Sequence, residues 1–367
     1  TRYIGVTGVQ TCALPIFIPL WVADMDFAAP QPVLDALHRR LEHGVLGYAA
    51  PTPSLVEATL AYLDTNYGWK VEPEWLVWLS GVVTGLNLAC RVVDGGVITA
   101  TPVYPPFLSA PKLSGRELTS VPLKLTDEGW CMDLDAMQAA LKADTRLWLL
   151  CHPHNPVGRA WSDEELRAFA GFCRRHDLIV CSDEIHCDLI LDADRRHLPL
   201  ACVDDEIARR SITLMAPSKT FNIPGLACAF AVIPDAGLRR RFTGAARGIV
   251  PDVNVLGFVA AEAAFREGAE WHRGLIDTLR RNRDRVEAAV AAMPGLAMTH
   301  VEATYLAWID ARGLGVDDPV SFFEAAGVGL SNGVDFGLPG WVRLNFGCPG
   351  ATLEAALQRM EQACRQR

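Results

Sequence analysis

The chain has 367 residues, a 50% hydrophobic composition and a formal net charge of −9 at neutral pH. That length provides a large core in one or two domains, while an acidic balance without a basic run argues against nucleic acid or an anionic membrane as partner. Eleven cysteines, odd in number and never spaced C-x-x-C, read as buried thiols of a reducing cytoplasm, and no apolar run approaches the roughly 18 residues of a membrane span.

The first sixteen residues, TRYIGVTGVQTCALPI, lack the basic start and apolar centre of a signal peptide. The run Val6 to Ile16 resembles the translation of a sequencing-adaptor oligonucleotide. Residues 1–16 are therefore expected to be non-native and are kept out of the fold.

From Ile18 onward short apolar runs alternate with amphipathic stretches, which is the signature of an α/β fold with a mostly parallel sheet. Buried strands are expected at Gly96 to Thr101, Leu147 to Cys151, Leu178 to Ser182, Ile212 to Ala216 and Ala227 to Ile233. A helix is expected over Ser162 to His176, where SDEE supplies an N-cap serine and acidic residues in the first turn. Beyond about residue 275 a long Arg-rich helix (Leu279 to Met293), two strand-like runs and a terminal helix suggest a smaller α+β domain. The expected division is 17–45 as the N-terminal part of the small domain, 46–275 as the large domain and 276–367 as the rest of the small one.

Four of the strand candidates run straight into polar, Pro-rich or Gly-rich loops: TPVYPPF, HPHNPVG, DEIHCD and PSKTFN. Ligands of open α/β sheets bind outside the carboxyl ends of the strands, so these loops are expected to meet at one cleft. In PSKTFN, Lys219 is either a solvated strand-end lysine or a buried amine made nucleophilic by desolvation. Asp183 closes the apolar run LIVCSD. It is a helix N-cap, a metal ligand with Glu184 and His186, or the partner of a buried cation, although D-E-I-H is not a zinc spacing. Asn155 sits in an N-P turn with its amide free to hydrogen-bond, and Tyr104 in TPVYPPF either packs or stacks on a flat ring.

The ordered motifs PVYPPF, HNPVGR, SDEIHCDL and SKTFNIPGL, preceded by LWVADMDF and GYAAPTPSL, resemble those of the fold type I pyridoxal-phosphate enzymes. Within them the chain is most similar to the MalY/PatB-type cystathionine β-lyases and cysteine-S-conjugate lyases of the class I/II aminotransferase family. The match covers essentially the whole chain after Ile18.

The resemblance implies pyridoxal 5′-phosphate as cofactor and a mostly parallel large domain with a smaller α+β domain. It makes Lys219 the covalent anchor and proton shuttle, Asp183 the partner of the pyridine nitrogen, and Asn155 and His186 the neighbours of the ring 3′-oxygen. Tyr104 stacks on the ring, the amides of Val82 and Val83 at a helix start receive the phosphate with Ser218, and Arg343 grips the substrate carboxylate. Strand alternation puts Arg343 and Asn345 on one face of WVRLNF and Val342, Leu344 and Phe346 on the other. Tyr48 in GYAAP is either a packed loop aromatic or, as the resemblance implies, the tyrosine that reaches the neighbouring active site of a homodimer.

Three features depart from the wider family. Ala216 and Ala227 stand where many relatives place a serine and an arginine for the phosphate. NFGCPGAT replaces an arginine-bearing end after Arg343, and the segment before LWVADMDF differs. The function implied is carbon–sulfur β-elimination, giving a thiol, pyruvate and ammonia. An aminotransferase, or a regulatory partner-binding protein on the same scaffold, is the alternative.

Overall fold

The structure is a computed structural model that describes residues 17–366. The adaptor-like run Val6 to Ile16 lies outside the described residues. The central sheet has seven strands in the order Leu76–Leu79, Ala229–Val232, Ser211–Met215, Ile179–Asp183, Thr145–Cys151, Gly96–Thr101 and Leu118–Pro122. The last five pair parallel, and Ala229–Val232 is antiparallel to both of its neighbours.

Both faces of the sheet are covered, which explains why its strands read as unbroken apolar runs. Side chains alternate across a strand, so Leu147, Leu149 and Cys151 enter one core while Trp148 and Leu150 enter the other. On the first face lies the helix Val82–Arg91 with Leu86 and Ala89 buried. On the second, Phe169 and Phe172 of the helix Asp163–Arg175 meet Trp148 edge-on at 5.2 and 5.9 Å. Each fully buried aromatic of this kind contributes about 2–3 kcal/mol of apolar transfer.

The SDEE signal resolves as a complete capping box. Glu165 N–H donates to Ser162 Oγ at 3.2 Å, and Ser162 N–H donates to Glu165 Oε2 at 2.8 Å.

A second, antiparallel sheet has the order Ala297–Met298, Leu306–Asp310, Trp341–Asn345, Ser331–Asn332. The helices Ala269–Ala292 and Gly350–Arg365 share a core with it through Leu279, Val286, Leu353 and Met360. The expected helix Leu279 to Met293 is thus longer, and it runs unbroken through the expected boundary at 275/276. Residues 17–45 divide their contacts. Ile18–Pro19 pairs with Val328–Gly329 and joins the second core, whereas Val33 and Ala36 of the helix Gln31–His43 pack with Ala260 and Ala264 of Val255–Glu267. Among the described residues no helix is long and apolar enough to cross a membrane.

Candidate active site

Parallel register brings the loop residues together. Cys151 stands beside Asp183 at the ends of adjacent strands, and Asp183 stands beside Leu214 on the next. At this edge lies a cavity of about 290 Å³ lined by Lys219, Asp183, Tyr104, Asn155, His186, Val82, Val83 and Ser218, together with Ala23, Ala216 and Ala227. All four expected loops contribute to it, as the topology requires.

Lys219 lies on the short helix Pro217–Thr220 and points its Nζ at the carbonyl of Ala23, to which it donates a hydrogen bond. Burial pushes its ammonium down to about 8; the Arg343 charge adds to the effect, while Asp24 and Asp183 oppose it. Asp183 is buried, and desolvation raises its carboxyl to about 7 despite a 3.2 Å hydrogen bond from Ile185 N–H and the nearby Lys219. A buried carboxylate in this state is stabilised by a cation placed against it. The helix N-cap alternative is not realised at Asp183: among the described residues no helix begins there.

His186 is held neutral, its pKa lowered to about 3 by burial and then by the charges of Lys219 and Arg343. Its Nδ1 is buried and finds no hydrogen-bond partner among the described residues, so the site presents an unsatisfied polar atom beside the cavity. Asn155 accepts from Arg343 Nη1 at 3.1 Å through Oδ1, which leaves its amide NH₂ as the remaining donor end. Tyr104 is tied to the same loop by a 3.1 Å bond from its N–H to Asn155 O.

The helix Val82–Arg91 starts at the cavity wall after Gly81, and among the described residues no side chain caps its first turn. Its first amides are therefore the kind of donors that anions occupy at helix starts. Together these features suit pyridoxal phosphate: a phosphate at this helix start, a ring nitrogen at Asp183, a ring oxygen near Asn155 and His186, and an aldehyde carbon at Lys219.

Arg343 does not line the cavity itself but touches it through Asn155. It is 5% exposed, stacks its guanidinium over Phe336 at 4.8 Å, and donates to Trp21 O at 2.7 Å and Ser331 Oγ at 3.3 Å. The expected alternation holds, since Val342, Leu344 and Phe346 enter the core behind it while Asn345 shares its face. Tyr48 stands apart, with a relative exposure of 105%.

Three features were not read from the sequence as the structure has them: Glu184 was expected only as a metal ligand beside Asp183, Trp21 to Met25 only as part of the motif LWVADMDF, and Tyr305 not at all. Glu184 turns away from the cavity and is buried, accepting from Ser182 Oγ at 2.8 Å, Leu200 N–H at 3.0 Å and His197 Nε2 at 2.7 Å. Tyr305 is fully buried and donates to Ala23 O at 2.8 Å. The segment from Trp21 to Met25 lays its carbonyls along the site. The alternating polar character of WVADMDF and the tyrosine opening the apolar run YLAWI were the available signals.

The match to known proteins follows these features. Residues 15–360 fit the model of the family described as aminotransferase class I and II. Cystathionine beta-lyase PatB of Bacillus subtilis (strain 168) is 36% identical over 357 residues, covering 94% of this chain and 92% of its own. A crystal structure of OvoB superimposes with a TM-score of 0.94 at 49% identity, over 96% of this chain and 93% of that one. The PLP-bound C-S lyase from Staphylococcus hominis gives 0.89 at 30% identity, over 95% and 91%. With the cavity built as described and the match running nearly end to end, this chain belongs to the class I and II aminotransferases and has the fold type I architecture of pyridoxal-phosphate enzymes.

Proposed function

We propose that the protein is a pyridoxal-phosphate-dependent carbon–sulfur β-lyase acting on cystathionine or related cysteine S-conjugates. The observation that carries the reading is the single cavity joining a buried amine, Lys219, to a buried carboxylate, Asp183. The names of two relatives, a cystathionine beta-lyase and a C-S lyase, support the choice of reaction.

When bound, the cofactor supplies an electron-accepting ring that stabilises negative charge at the substrate α-carbon. The residues of this chain do the rest. Arg343 holds the substrate carboxylate in a buried fork. Lys219, shifted toward its neutral form, removes the α-proton and carries it within the site. Asp183 would keep a positive charge on the ring nitrogen, Asn155 and His186 would hold the ring oxygen, and Tyr104 would cover the ring face. The first amides of Val82–Arg91 and Ser218 would take the phosphate.

Incubating the protein with cystathionine and no keto acid tests the reaction. Release of pyruvate supports the lyase. Amino-group transfer that needs an added keto acid would overturn it in favour of an aminotransferase, an activity that belongs by name to other relatives. Lys219→Ala abolishes pyruvate release and the visible absorption of bound cofactor; a partner-binding role would survive the substitution.

We also propose a homodimer in the cytoplasm. Leu41, Val45, Leu46 and Tyr48 form an exposed apolar run, which is what a subunit interface covers, and ten described cysteines are unpaired. Sedimentation as a monomer would contradict the dimer.

A further inference from the structure

Five consecutive backbone carbonyls, Trp21 to Met25, each accept a hydrogen bond from a side chain distant in sequence. Trp21 O takes Arg343 Nη2 and Ser331 Oγ, at 2.7 and 2.8 Å. Val22 O and Asp24 O take the same Asn345 amide at 2.5 Å each, and Met25 O takes Asn222 Nδ2 at 2.7 Å. At the centre, Ala23 O takes two donors, Lys219 Nζ and the Tyr305 hydroxyl.

The two donors on Ala23 differ in freedom. Lys219 is a flexible four-carbon stem, whereas Tyr305 is fully buried at the entry to the strand Leu306–Asp310, with the His186 ring 5.9 Å away at 73°. That strand pairs directly with Trp341–Asn345, which carries Arg343. A rigid hydroxyl from the small sheet therefore fixes the carbonyl to which the reactive amine is bonded.

We propose that Tyr305 is a positioning residue for Lys219. Its hydroxyl pins the Ala23 carbonyl, and that carbonyl holds one N–H of the free Lys219 amine so that the lone pair faces the substrate α-carbon. In the step so prepared, the lone pair forms an N–H bond and the C–H bond breaks. Its electron pair stays with the substrate, and the amine becomes an ammonium. An amine that rotates freely about its Cε–Nζ bond spends most of its time misdirected, and small misplacements of a reacting group cost up to about a hundredfold in rate.

This rests on the proposed role of Lys219 as base, but not on the fate of the substrate after proton removal. The test therefore uses exchange of the α-proton of L-alanine in deuterated water, which needs no leaving group; pyruvate release from cystathionine by the unaltered protein tests the lyase reading separately. In Tyr305→Phe, exchange is expected to slow about tenfold or more with alanine affinity unchanged. In the cofactor-free protein, acetylation of Lys219 by acetic anhydride, read by peptide mass spectrometry, is expected to slow several-fold. Unchanged exchange and unchanged acetylation overturn the proposal, as does a loss wholly accounted for by weaker alanine binding. If Tyr305→Phe does not fold, Asn345→Ser decides. It loosens the carbonyls on either side of Ala23, and exchange at the unaltered rate overturns the proposal.

Discussion

Arg343 and Asn155 meet through a buried 3.1 Å hydrogen bond, Nη1 to Oδ1, that joins the second sheet to the loop after Thr145–Cys151. Among the described residues Arg343 forms no ion pair, and burial lowers its pKa to about 10 while Tyr104 and Tyr305 oppose the shift. A buried guanidinium without a carboxylate of its own is set to receive one from a ligand. Arg343→Lys keeps the charge but loses the fork. The expected cost is about 2 kcal/mol, roughly thirtyfold in kcat/KM and mainly in KM, measured by steady-state kinetics.

Asp183→Asn preserves shape while removing the charge that, on the proposed reading, would face the ring nitrogen. The expected result is retained cofactor with a fall in kcat of at least about a hundredfold, the lower range for a positioned acid–base group. Absorption spectra and turnover of the same sample check it, and full turnover would remove Asp183 from the mechanism.

Ala216 lines the cavity just before Pro217–Thr220 and offers no side-chain donor to a phosphate. Ala216→Ser adds a hydroxyl there. One further hydrogen bond, worth about 1 kcal/mol, is expected to tighten pyridoxal phosphate binding about fivefold. Fluorescence titration of the cofactor-free protein measures it.

His300 bonds Glu287 at 3.0 Å and Asp192 at 2.9 Å, and these contacts, Glu287 first, raise its pKa to about 9. Arg283 also reaches Asp192, at 2.6 Å. A group whose folded pKa is raised gives stability that is complete below its unfolded value near 6.5 and is lost as pH climbs through 9. Half of the side chain is exposed, so solvent screening limits the effect to about 1 kcal/mol. Urea unfolding at pH 6 and pH 9.5 is expected to show this loss in the unaltered chain and not in His300→Gln.

Much of this site was legible in order of residues because strand ends and their loops are local features. LIVCSD announces a strand closing on a carboxylate, and SDEE announces a helix start; both are written within a few positions. Leu76–Leu79 and Leu118–Pro122 escaped because they lie at the edges of the sheet, where burial is incomplete and the apolar signal is weaker. The contacts of Tyr305 and Glu184 escaped for a different reason. Their partners, Ala23 and His197, are set by packing and not by spacing.

The sequence by itself determined the α/β alternation, the loops that carry chemistry and the identity of the residues on them, since periodicity and turn residues act over short range. Only the tertiary structure decided which of those side chains are desolvated and what they touch. Lys219 owes its lowered pKa to burial and the nearby Arg343, and its direction to a carbonyl 196 positions earlier in the chain. Charge state and orientation depend on surroundings that long-range packing supplies, and no local stretch of residues encodes them.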